Sequence, residues 1–468
     1  MIQYAGYGTD AQCAPLRLKP VETRCPKPVI MIKLRNEMEK EKKKEKKKVL
    51  LIGGGGREHA IAWKLSQSGQ DLELVCAPGN AGIETLCRCV NVSAEDIEGL
   101  VTLAAEEKPD LVVVGPEYPL AHGLTDMLEA QGIKVFGPNK KCAQLEASKS
   151  FTKAFLERHG IPTAAYREYT GAESLRADIG AFGYPMVFKA DGLAAGKGVI
   201  IAEDREAAES AISEYMVKRA FGAAGDKVVV EEFLRGTEAS VLCFTDGSAM
   251  APMESAQDYK RIYDGDKGPN TGGVGAYSPS LLFDAETEQR VAEEILLKTF
   301  EGLKEDGLDF RGVLYIGLML TEGGPKVIEF NIRFGDPETQ AILPRLKTDL
   351  YEILDAVCDD RLSELSIEWD ETVKTVTVVM TAGGYPGPYN KGDAIYGLED
   401  VPEGVTVFHA GTKRGGDGEI LTSGGRVLGV LGTGATNEEA RAAAYAGVSK
   451  ISFNRAAFRK DIGIVYNM

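Results

Sequence analysis

The chain has 468 residues, which is too many for one ordinary hydrophobic core, so about two to four domains are expected. Hydrophobic residues make up 44% and charged residues 26% of the sequence, as in soluble globular proteins. The formal net charge of -16 argues against binding of nucleic acid or anionic membranes, and no apolar run is long enough to span a bilayer. Small molecules are therefore the expected partners.

Residues 1–48 differ from the rest of the chain. They end in the charge run MEKEKKKEKKK (38–48), in which glutamates dilute the basic charge. Such a run favours a solvated helix or a disordered segment over a nucleic-acid arm, and the segment has no apolar core of a signal peptide. We expect a leader outside the fold, either disordered or artificial.

Eight cysteines are scattered along the chain. Cys87 and Cys89 form a C-x-C pair without a second pair, which is poor support for a zinc site. Reduced thiols in a cytoplasmic protein are therefore expected.

A βαβ rhythm begins at Val49. VLLIGGGG is typical of a buried parallel strand that ends in a glycine turn, and the following REHAIAWKLSQSG of a helix. LELVCAPGN, PDLVVVGPE and IKVFGP supply further strands. The pattern predicts a Rossmann-like domain over 49–148, with its ligand at the carboxyl ends of the strands.

The remaining chain predicts mixed α and β structure. A helix near 148–160 leads into two strands around a glycine loop, a helix at 204–221 and the strand KVVVEEFL. Antiparallel strands with a helix at 284–305 follow, and then a helix at 347–358. Residues 371–468 are mostly short strands with a closing helix at 437–450. We expect domains over 149–231, 232–370 and 371–468, the last mostly β.

The GGGG turn at 53–56 favours phosphate over a dinucleotide. The fingerprint G-x-G-x-x-G lacks its third glycine here, because Gly53 and Gly55 are followed by Glu58. The second strand ends at Ala77-Pro78-Gly79 with no carboxylate for a ribose. A glycine turn at a helix N-terminus still offers N–H groups to an anion, although a simple tight turn is the alternative.

The segment DGLAAGKGV (191–199) is not a P-loop. Only three residues separate Gly192 from Gly196-Lys197, and Gly198 stands where Ser or Thr would bind the metal. A glycine hairpin between apolar strands can still cover phosphates as a flap. Lys189 lies in the preceding apolar strand and, since an unpaired buried ammonium is costly, predicts a nearby anion.

Two more segments carry polar groups in unusual places. In VVVEEFLRGTEAS (228–240) a strand end could present its backbone to an adenine and Glu238 to a ribose, but solvated acids explain it equally well. The long loop at 254–279 contains Asp258, Lys260, Arg261 and Lys267, and loops of this length are usually functional or disordered.

The segment KVIEFNIRFGDPETQ (326–340) predicts the metal site. Period-2 geometry places Ile328, Phe330, Ile332 and Phe334 on one face and Glu329, Asn331 and Arg333 on the other. A carboxylate and an amide oxygen suit Mg²⁺ that bridges phosphates, and a guanidinium suits a carboxylate or a phosphoryl group. An exposed edge strand is the alternative.

These motifs, in this order, resemble ATP-grasp ligases, and more closely the phosphoribosylamine–glycine ligase family of purine biosynthesis. The resemblance covers Val49 to the C-terminus and rests on eight motifs: GGGGREHA, APGNAG, GPE, KADGLAAGKGV, GPNTGG-GAYSP, EFN-RFGDPETQ, AGGYPG and FHAGTK. It implies a two-lobed ATP-grasp core, with the small lobe and its leading helix over 149–231 (flap 190–199) and the large lobe with the metal site over 232–370. The whole is an α/β and α+β multidomain protein.

The resemblance also implies the roles of individual residues. Lys149 and Lys189 would bind ATP phosphates under the flap, Glu238 the ribose, and Glu329 and Asn331 Mg²⁺ or Mn²⁺. The preceding strand, GVLYIGLML, offers no further metal carboxylate. Lys189, Asp258 and Arg333 are the catalytic candidates, the last two for glycine. The remaining ATP-site residues are Gly192, Gly196, Lys197, Gly198, Glu231, Glu232, Phe233 and Leu234, and the remaining substrate-site residues are Gly54, Gly55, Gly56, Arg57, Glu58, Gly79, Asn80, Pro116, Glu117, Asn270, Thr271, Gly272 and Gly273.

The implied reaction joins glycine to 5-phosphoribosylamine through glycyl phosphate, with ATP as the phosphoryl donor. A monomeric, monofunctional enzyme is expected. Three alternatives stay open: another ATP-grasp ligase or carboxylase, such as a biotin-dependent carboxylase subunit or a formate-using purine enzyme; a nicotinamide-dependent oxidoreductase, suggested by the GGGG turn; and a catalytically silent nucleotide-binding protein.

Overall fold

The computed structural model describes residues 46–193 and 198–464. Most of the expected leader, and Gly196 and Lys197 of the expected flap, lie outside this part of the chain. Within it, no helix is both long and apolar enough to cross a membrane.

The N-terminal unit is a parallel sheet with helices on its faces, as the sequence predicts. Its order is β3-β2-β1-β4-β5, and the Val/Leu/Ile runs of the central strands are fully buried because helices cover both faces. The first strand begins two residues before the predicted boundary, because Lys47 and Lys48 pair with Leu72 and Glu73 of the neighbouring parallel strand. The strands are β1 (Lys47–Gly53), β2 (Leu72–Pro78), β3 (Arg88–Cys89), β4 (Leu111–Val114) and β5 (Val135–Phe136), and the helices are α1 (Gly56–Leu65), α2 (Ile97–Glu107), α3 (Glu117–Ala121), α4 (Leu124–Glu129) and α5 (Gln144–Ala147).

The next unit is a small antiparallel sheet preceded by a helix. Ser148 caps that helix by accepting a hydrogen bond from the Phe151 N–H. The sheet order is β6-β9-β7-β8, and β7 and β8 are the two strands on either side of the glycine loop. Its elements are α6 (Lys149–Arg158), β6 (Tyr166–Tyr169), α7 (Ala172–Ala177), β7 (Met186–Ala190), β8 (Val199–Ala202), α8 (Arg205–Ile212), which continues as a π-helical turn at Ser213–Val217, and β9 (Val228–Glu232).

The third unit is built on the antiparallel sheet β11-β10-β16-β17. The predicted helix at 284–305 is present, with a π-helical segment (Val291–Leu297) between two α-helical parts. The strands are β10 (Thr237–Asp246), β11 (Met250–Pro252), β12 (Gln257–Asp258), β13 (Arg261–Tyr263), β14 (Lys267–Asn270), β15 (Gly275–Ser278), β16 (Arg311–Thr321) and β17 (Gly324–Asn331), and the helices are α9 (Ala285–Arg290), α10 (Lys298–Glu305), α11 (Glu338–Ile342) and α12 (Leu350–Cys358).

The C-terminal segment forms a mostly β unit that shares a sheet with the preceding one. In the order β12-β15-β18-β22-β19, the first two strands precede residue 371 and the other three follow it. The domain boundary near 370 stays a prediction, and this sheet crosses it. The elements are β18 (Lys374–Thr381), β19 (Thr406–His409), β20 (Thr412–Arg414), β21 (Ile420–Thr422), β22 (Arg426–Gly434) and α13 (Asn437–Val448).

A β-bulge in β17 changes the predicted faces of that strand. Gly317 of β16 pairs with Glu329, but the next residue, Leu318, pairs with Val327, so Ile328 is the extra residue. Val327 is fully buried in the core, whereas Ile328 is half-buried and faces the cleft described below. The prediction that Ile328 belongs to the apolar core face is therefore wrong, while Phe330, Ile332 and Phe334 are buried as predicted.

Candidate active site

A cleft of about 460 Å³ collects side chains from all four parts of the chain. It brings together most of the predicted site residues, although they are separated by more than 270 positions in the sequence. The predicted residues that line it are Arg57, Pro116, Glu117, Lys149, Lys189, Gly192, Gly198, Glu231, Glu232, Phe233, Leu234, Glu238, Asp258, Asn270, Thr271, Gly272, Glu329, Asn331 and Arg333.

Lys189 lies on β7 at the wall of the cleft and is buried. Its Nζ lies 2.9 Å from Glu231 Oε1 and donates a hydrogen bond to the Ile328 carbonyl at 3.0 Å. The unusual lysine in an apolar strand therefore has a protein carboxylate as its partner. Lys149, at the start of α6, donates to the Glu146 carbonyl at 3.1 Å and faces the same cleft.

The strand end at 231–234 has its carboxylates turned to protein partners. Glu231 pairs with Lys189, while Glu232 accepts a hydrogen bond from the Ala165 N–H and lies 3.3 Å from the Lys326 ammonium. Phe233 and Leu234 follow β9 directly and line the cleft. This segment thus presents its backbone and apolar surface to the cleft, and its role in adenine binding stays a prediction.

Glu329 and Asn331 both face the cleft from the end of β17. Burial acts to raise the pKa of Glu329, but the charges of Lys260 and Lys149 outweigh it and lower that pKa to about 2. Lys260 Nζ lies 3.6 Å from Glu329 Oε1 and 3.2 Å from Glu238 Oε2. The Asn331 amide oxygen accepts a hydrogen bond from Arg333 at 3.2 Å. The Glu329 carboxylate is therefore ionised and partly shielded from solvent, and its oxygens can act as metal ligands.

Arg333 lies two residues beyond the end of β17, where two carboxylates hold it. Its Nε donates to Glu117 Oε2 and one terminal nitrogen to Glu146 Oε1, each at 3.2 Å. Burial alone would lower the pKa of Arg333. The charges of the two carboxylates outweigh this effect, so the pKa lies above its ordinary value. The Glu146 carboxylate also accepts the Ile332 N–H at 2.8 Å, which fixes the backbone beside the guanidinium. Arg333 is thus a permanent, firmly oriented cation.

The pKa values of Glu146 and Glu117 shift in opposite directions because the charges around them differ. Burial raises the pKa of Glu146, with Arg333 opposing that effect. Burial would also raise the pKa of Glu117, but the charges of Arg333 and Arg57 lower it to about 2. Glu117 comes from the N-terminal unit, so Arg333 connects that unit to the end of β17.

Asp258 is buried beside other polar groups of the large sheet. Ser240 Oγ lies 3.5 Å from an Asp258 oxygen, 2.9 Å from the Tyr315 hydroxyl and 3.4 Å from a Glu338 oxygen. Burial raises the pKa of Asp258 to about 8, although Lys260 acts against it. Burial therefore favours the protonated carboxyl at neutral pH.

Polar groups of the glycine turn at 53–56 already form hydrogen bonds to side chains of the protein. Glu58 accepts the Gly55 N–H at 2.6 Å and lies 2.6 Å from Arg57, so its carboxylate occupies a position that an anion would need. Asn80 donates to the Gly54 and His409 carbonyls and accepts the Gly82 N–H. The structure thus places Arg57 at the cleft but directs the polar groups of Gly55, Glu58 and Asn80 inward. Gly54, Gly56, Gly79 and Gly273 also lie outside the lining.

Sequence reasoning missed or gave no role to five charged residues that line the cleft, namely Glu146, Lys260, Asp336, Glu338 and Arg426. Glu146 gave no signal beyond an ordinary helical acid, Asp336 and Glu338 were part of the motif EFN-RFGDPETQ without a role of their own, and Lys260 was noted only as part of a polar loop. Arg426, on β22, donates to the Gly272 and Asp336 carbonyls and lies 3.0 Å from the Asp336 carboxylate. Its glycine-flanked position in SGGRVLG was the one local signal.

Comparison with known proteins identifies the family. The phosphoribosylglycinamide synthetase profiles match in chain order: the N domain at 47–146, the ATP-grasp (A) domain at 147–339 and the C domain at 375–465. The chain belongs to the phosphoribosylglycinamide synthetase family. It is 49% identical over 412 residues to the phosphoribosylamine–glycine ligase of Caldanaerobacter subterraneus subsp. tengcongensis, with 88% of this chain and 98% of that protein covered.

Two further similarities agree with this assignment. The chain is 50% identical over 413 residues to the trifunctional purine biosynthetic protein adenosine-3 of Gallus gallus, covering 87% of this chain and 41% of that one. The crystal structure of phosphoribosylamine–glycine ligase from Thermotoga maritima superimposes with a TM-score of 0.77 at 36% identity, covering 88% of this chain and 99% of that one.

The family assignment confirms the predicted fold class and the predicted class of activity. The chain is an ATP-dependent ligase of purine biosynthesis, and its ATP-grasp domain implies ATP together with a divalent metal ion. The oxidoreductase and silent-protein alternatives are thereby set aside.

Proposed function

We propose that the cleft joins the carboxylate of glycine to the amine of 5-phosphoribosylamine, with cleavage of ATP to ADP and phosphate. The observation that carries this proposal is the convergence of two lysines, an ionised glutamate with an adjacent amide, and an arginine on one cleft of about 460 Å³: Lys149, Lys189, Glu329, Asn331 and Arg333. Such a set binds a polyphosphate at one end and stabilises developing negative charge at the other.

The proposed nucleotide site occupies the part of the cleft between the two lobes. Lys149 and Lys189 bind the phosphates, Glu231 to Leu234 present backbone and apolar surface to the adenine, and Glu238 binds the ribose. Gly192 and Gly198, at the two described ends of the glycine loop, line the same part of the cleft.

The donor set at the end of β17 fits a hard divalent cation. The Glu329 carboxylate is ionised because its pKa is about 2, and Asn331 adds a neutral amide oxygen. Among residues 46–193 and 198–464 no group of three or more His, Cys, Asp or Glu side chains could hold a metal, and Glu329 and Asn331 are the two residues that would hold the ion together with the nucleotide. When bound, Mg²⁺ or Mn²⁺ neutralises phosphate charge and helps to align the terminal phosphoryl group.

The proposed chemistry is mainly positioning and charge stabilisation. Arg333 orients the glycine carboxylate, and Asp258 pairs with the glycine ammonium. A carboxylate oxygen attacks the γ-phosphorus as the bond to ADP breaks, which gives glycyl phosphate. The amine of phosphoribosylamine then attacks the acyl carbon and phosphate leaves, taking up the proton that the amine loses. Arg333 and the two lysines stabilise the charge of both steps.

The proposed phosphoribosylamine site is the end of the cleft lined by Arg57, Pro116, Glu117 and the 270–272 loop. We also propose a monomer, because one chain supplies every group named above. A cytoplasmic location is supported by the cysteines described in the structure, which are six free thiols.

Release of ADP from the full chain, with each substrate omitted in turn, tests the function. Turnover is expected only when ATP, glycine, phosphoribosylamine and a divalent metal are all present. Turnover that depends on bicarbonate or formate instead would favour the other ATP-grasp reactions and overturn the proposal.

A further inference from the structure

A second buried lysine, Lys153, lies behind the cleft wall formed by Glu231. It is on α6, one turn after Lys149, and its side chain is 3% exposed. Its Nζ lies 3.2 Å from Glu231 Oε1 and donates to Thr163 Oγ1 at 2.8 Å and to the Ala164 carbonyl at 3.2 Å. The ammonium therefore has two hydrogen-bond acceptors and one ion-pair partner within the protein, and it lies outside the lining of the cleft.

Glu231 is shared by two ammonium groups. The same Oε1 atom that lies 3.2 Å from Lys153 lies 2.9 Å from Lys189. The side chains of Glu231 and Lys189 are each only 5% exposed, so solvent screens this cluster weakly. Two cations and one anion leave the buried cluster with one net positive charge.

That surplus charge faces the cleft. Lys189 donates a hydrogen bond to the Ile328 carbonyl, forms an ion pair with Glu231 and lines the cleft. If Lys189 were the only partner of Glu231, the two charges would cancel and the wall would attract a phosphate weakly. Because Lys153 supplies a second cation next to the same Glu231 oxygen, the negative charge of Glu231 is shared between two ammonium groups and does not fully offset that of Lys189.

We propose that Lys153 is a positioning residue for nucleotide binding, which balances the charge of Glu231 so that the charge of Lys189 remains available to the phosphates. This rests on the proposed function, in which Lys189 binds ATP phosphates. Burial lowers the pKa of Lys153 to about 8, with Glu231 opposing, so the side chain is still mostly charged at neutral pH.

Equilibrium binding of ATP and of adenosine to the full chain tests this role without requiring turnover. Lys153→Met is expected to weaken ATP binding about tenfold, because the wall loses its net charge, and to leave adenosine binding within about twofold. Thr163→Val is the matched control, since it removes a neutral partner of Lys153 but no charge. It should bind ATP as the wild type does.

The double variant Lys153→Met/Glu231→Gln gives the sharper comparison. It again leaves one net positive charge, that of Lys189, and should recover most of the ATP affinity that Lys153→Met loses. A purely structural lysine predicts the opposite, since the second substitution would add damage. If Lys153→Met does not fold, Lys153→Gln, which keeps an N–H donor without charge, takes its place with the same expected outcomes.

Two results would overturn the inference: unchanged ATP binding in Lys153→Met, or an equal loss of ATP and adenosine binding that the double variant does not restore. Either result leaves the proposed function intact as long as the wild type binds ATP. A wild-type chain that does not bind ATP would instead contradict the proposed function itself.

Discussion

Among single residues, Glu329 is the one on which the proposed metal site depends. Glu329→Gln keeps the size and the cleft-facing position but removes the charge. We expect kcat/KM for ATP to fall by at least about 100-fold, because amide oxygen is a weak ligand for a divalent ion that must hold a polyphosphate. Circular dichroism should show an unchanged fold, and ADP release measured over a range of metal concentrations gives the loss.

Glu322→Gln is the matched control for this change. Glu322 lies in the exposed turn of the same β16–β17 hairpin, so the same chemical change there should leave activity within about twofold. Near-normal turnover of Glu329→Gln would refute the metal assignment.

Asp258 should make the stability of the ligand-free protein depend on pH. Its pKa is about 8 in the folded protein against an ordinary value of 3.8, so the folded state retains a proton that the unfolded state loses. Stability is therefore greatest, as far as this group is concerned, below about pH 4 and declines as the pH rises to 8. Asp258→Asn resembles the protonated form, and its melting temperature should rise relative to the wild type by several degrees across this interval.

Thermal melts at pH 5 and pH 8 measure the effect, with Asp417→Asn at an exposed loop position as the control. Saturating glycine should reduce the difference, since its ammonium would favour the ionised Asp258. A difference between wild type and Asp258→Asn that does not grow with pH would contradict the raised pKa.

At the scale of single elements, the bulge in β17 directs two neighbouring aliphatic side chains to different places, Val327 to the core and Ile328 to the cleft. Val327 is fully buried in the core, so Val327→Ala should lower the free energy of unfolding by about 2 kcal/mol and leave the KM for ATP nearly unchanged. Ile328 faces the cleft, so Ile328→Ala should cost less stability but raise the KM for ATP several-fold. Urea unfolding measures the loss of stability of both variants, and initial-rate kinetics measure their KM for ATP. Equal losses of stability would argue against the bulge.

The same strand shows what the sequence could predict. Alternation correctly placed Glu329 and Asn331 at the cleft and Phe330 in the core, because a strand directs successive side chains to opposite faces. It failed at Ile328, since a bulge depends on the register with β16, which no local pattern records. The glycine turn was also found, but its use of Glu58 as an internal partner was not.

For the whole molecule, periodicity predicted the succession of α/β, α+β and mostly β segments and the ordered motifs predicted the family, whereas the contacts between distant elements could not be predicted from the sequence. Glu146 reaches Arg333 across 187 positions, and Arg426 reaches Asp336 across 90. Nothing near Glu146 or Arg426 in the sequence marks the partner, because tertiary packing decides which helix end or strand adjoins the cleft. The extension of one sheet across residue 370 was missed for the same reason.

Arg426 connects the C-terminal strands to the rest of the molecule, and this connection can be tested. Its guanidinium lies mostly buried and donates to the Gly272 and Asp336 carbonyls as well as to the Asp336 carboxylate. Arg426→Met should leave these acceptors without their donor and lower the free energy of unfolding by about 2 kcal/mol, with faster amide exchange in β15.

Arg414→Met removes another cross-domain arginine, one that pairs with Glu84 at 3.4 Å on the surface, and should cost at most about 0.5 kcal/mol. Because β15 pairs with β18, a loss confined to the C-terminal strands without a change in β15 would show that the shared sheet does not couple the two parts.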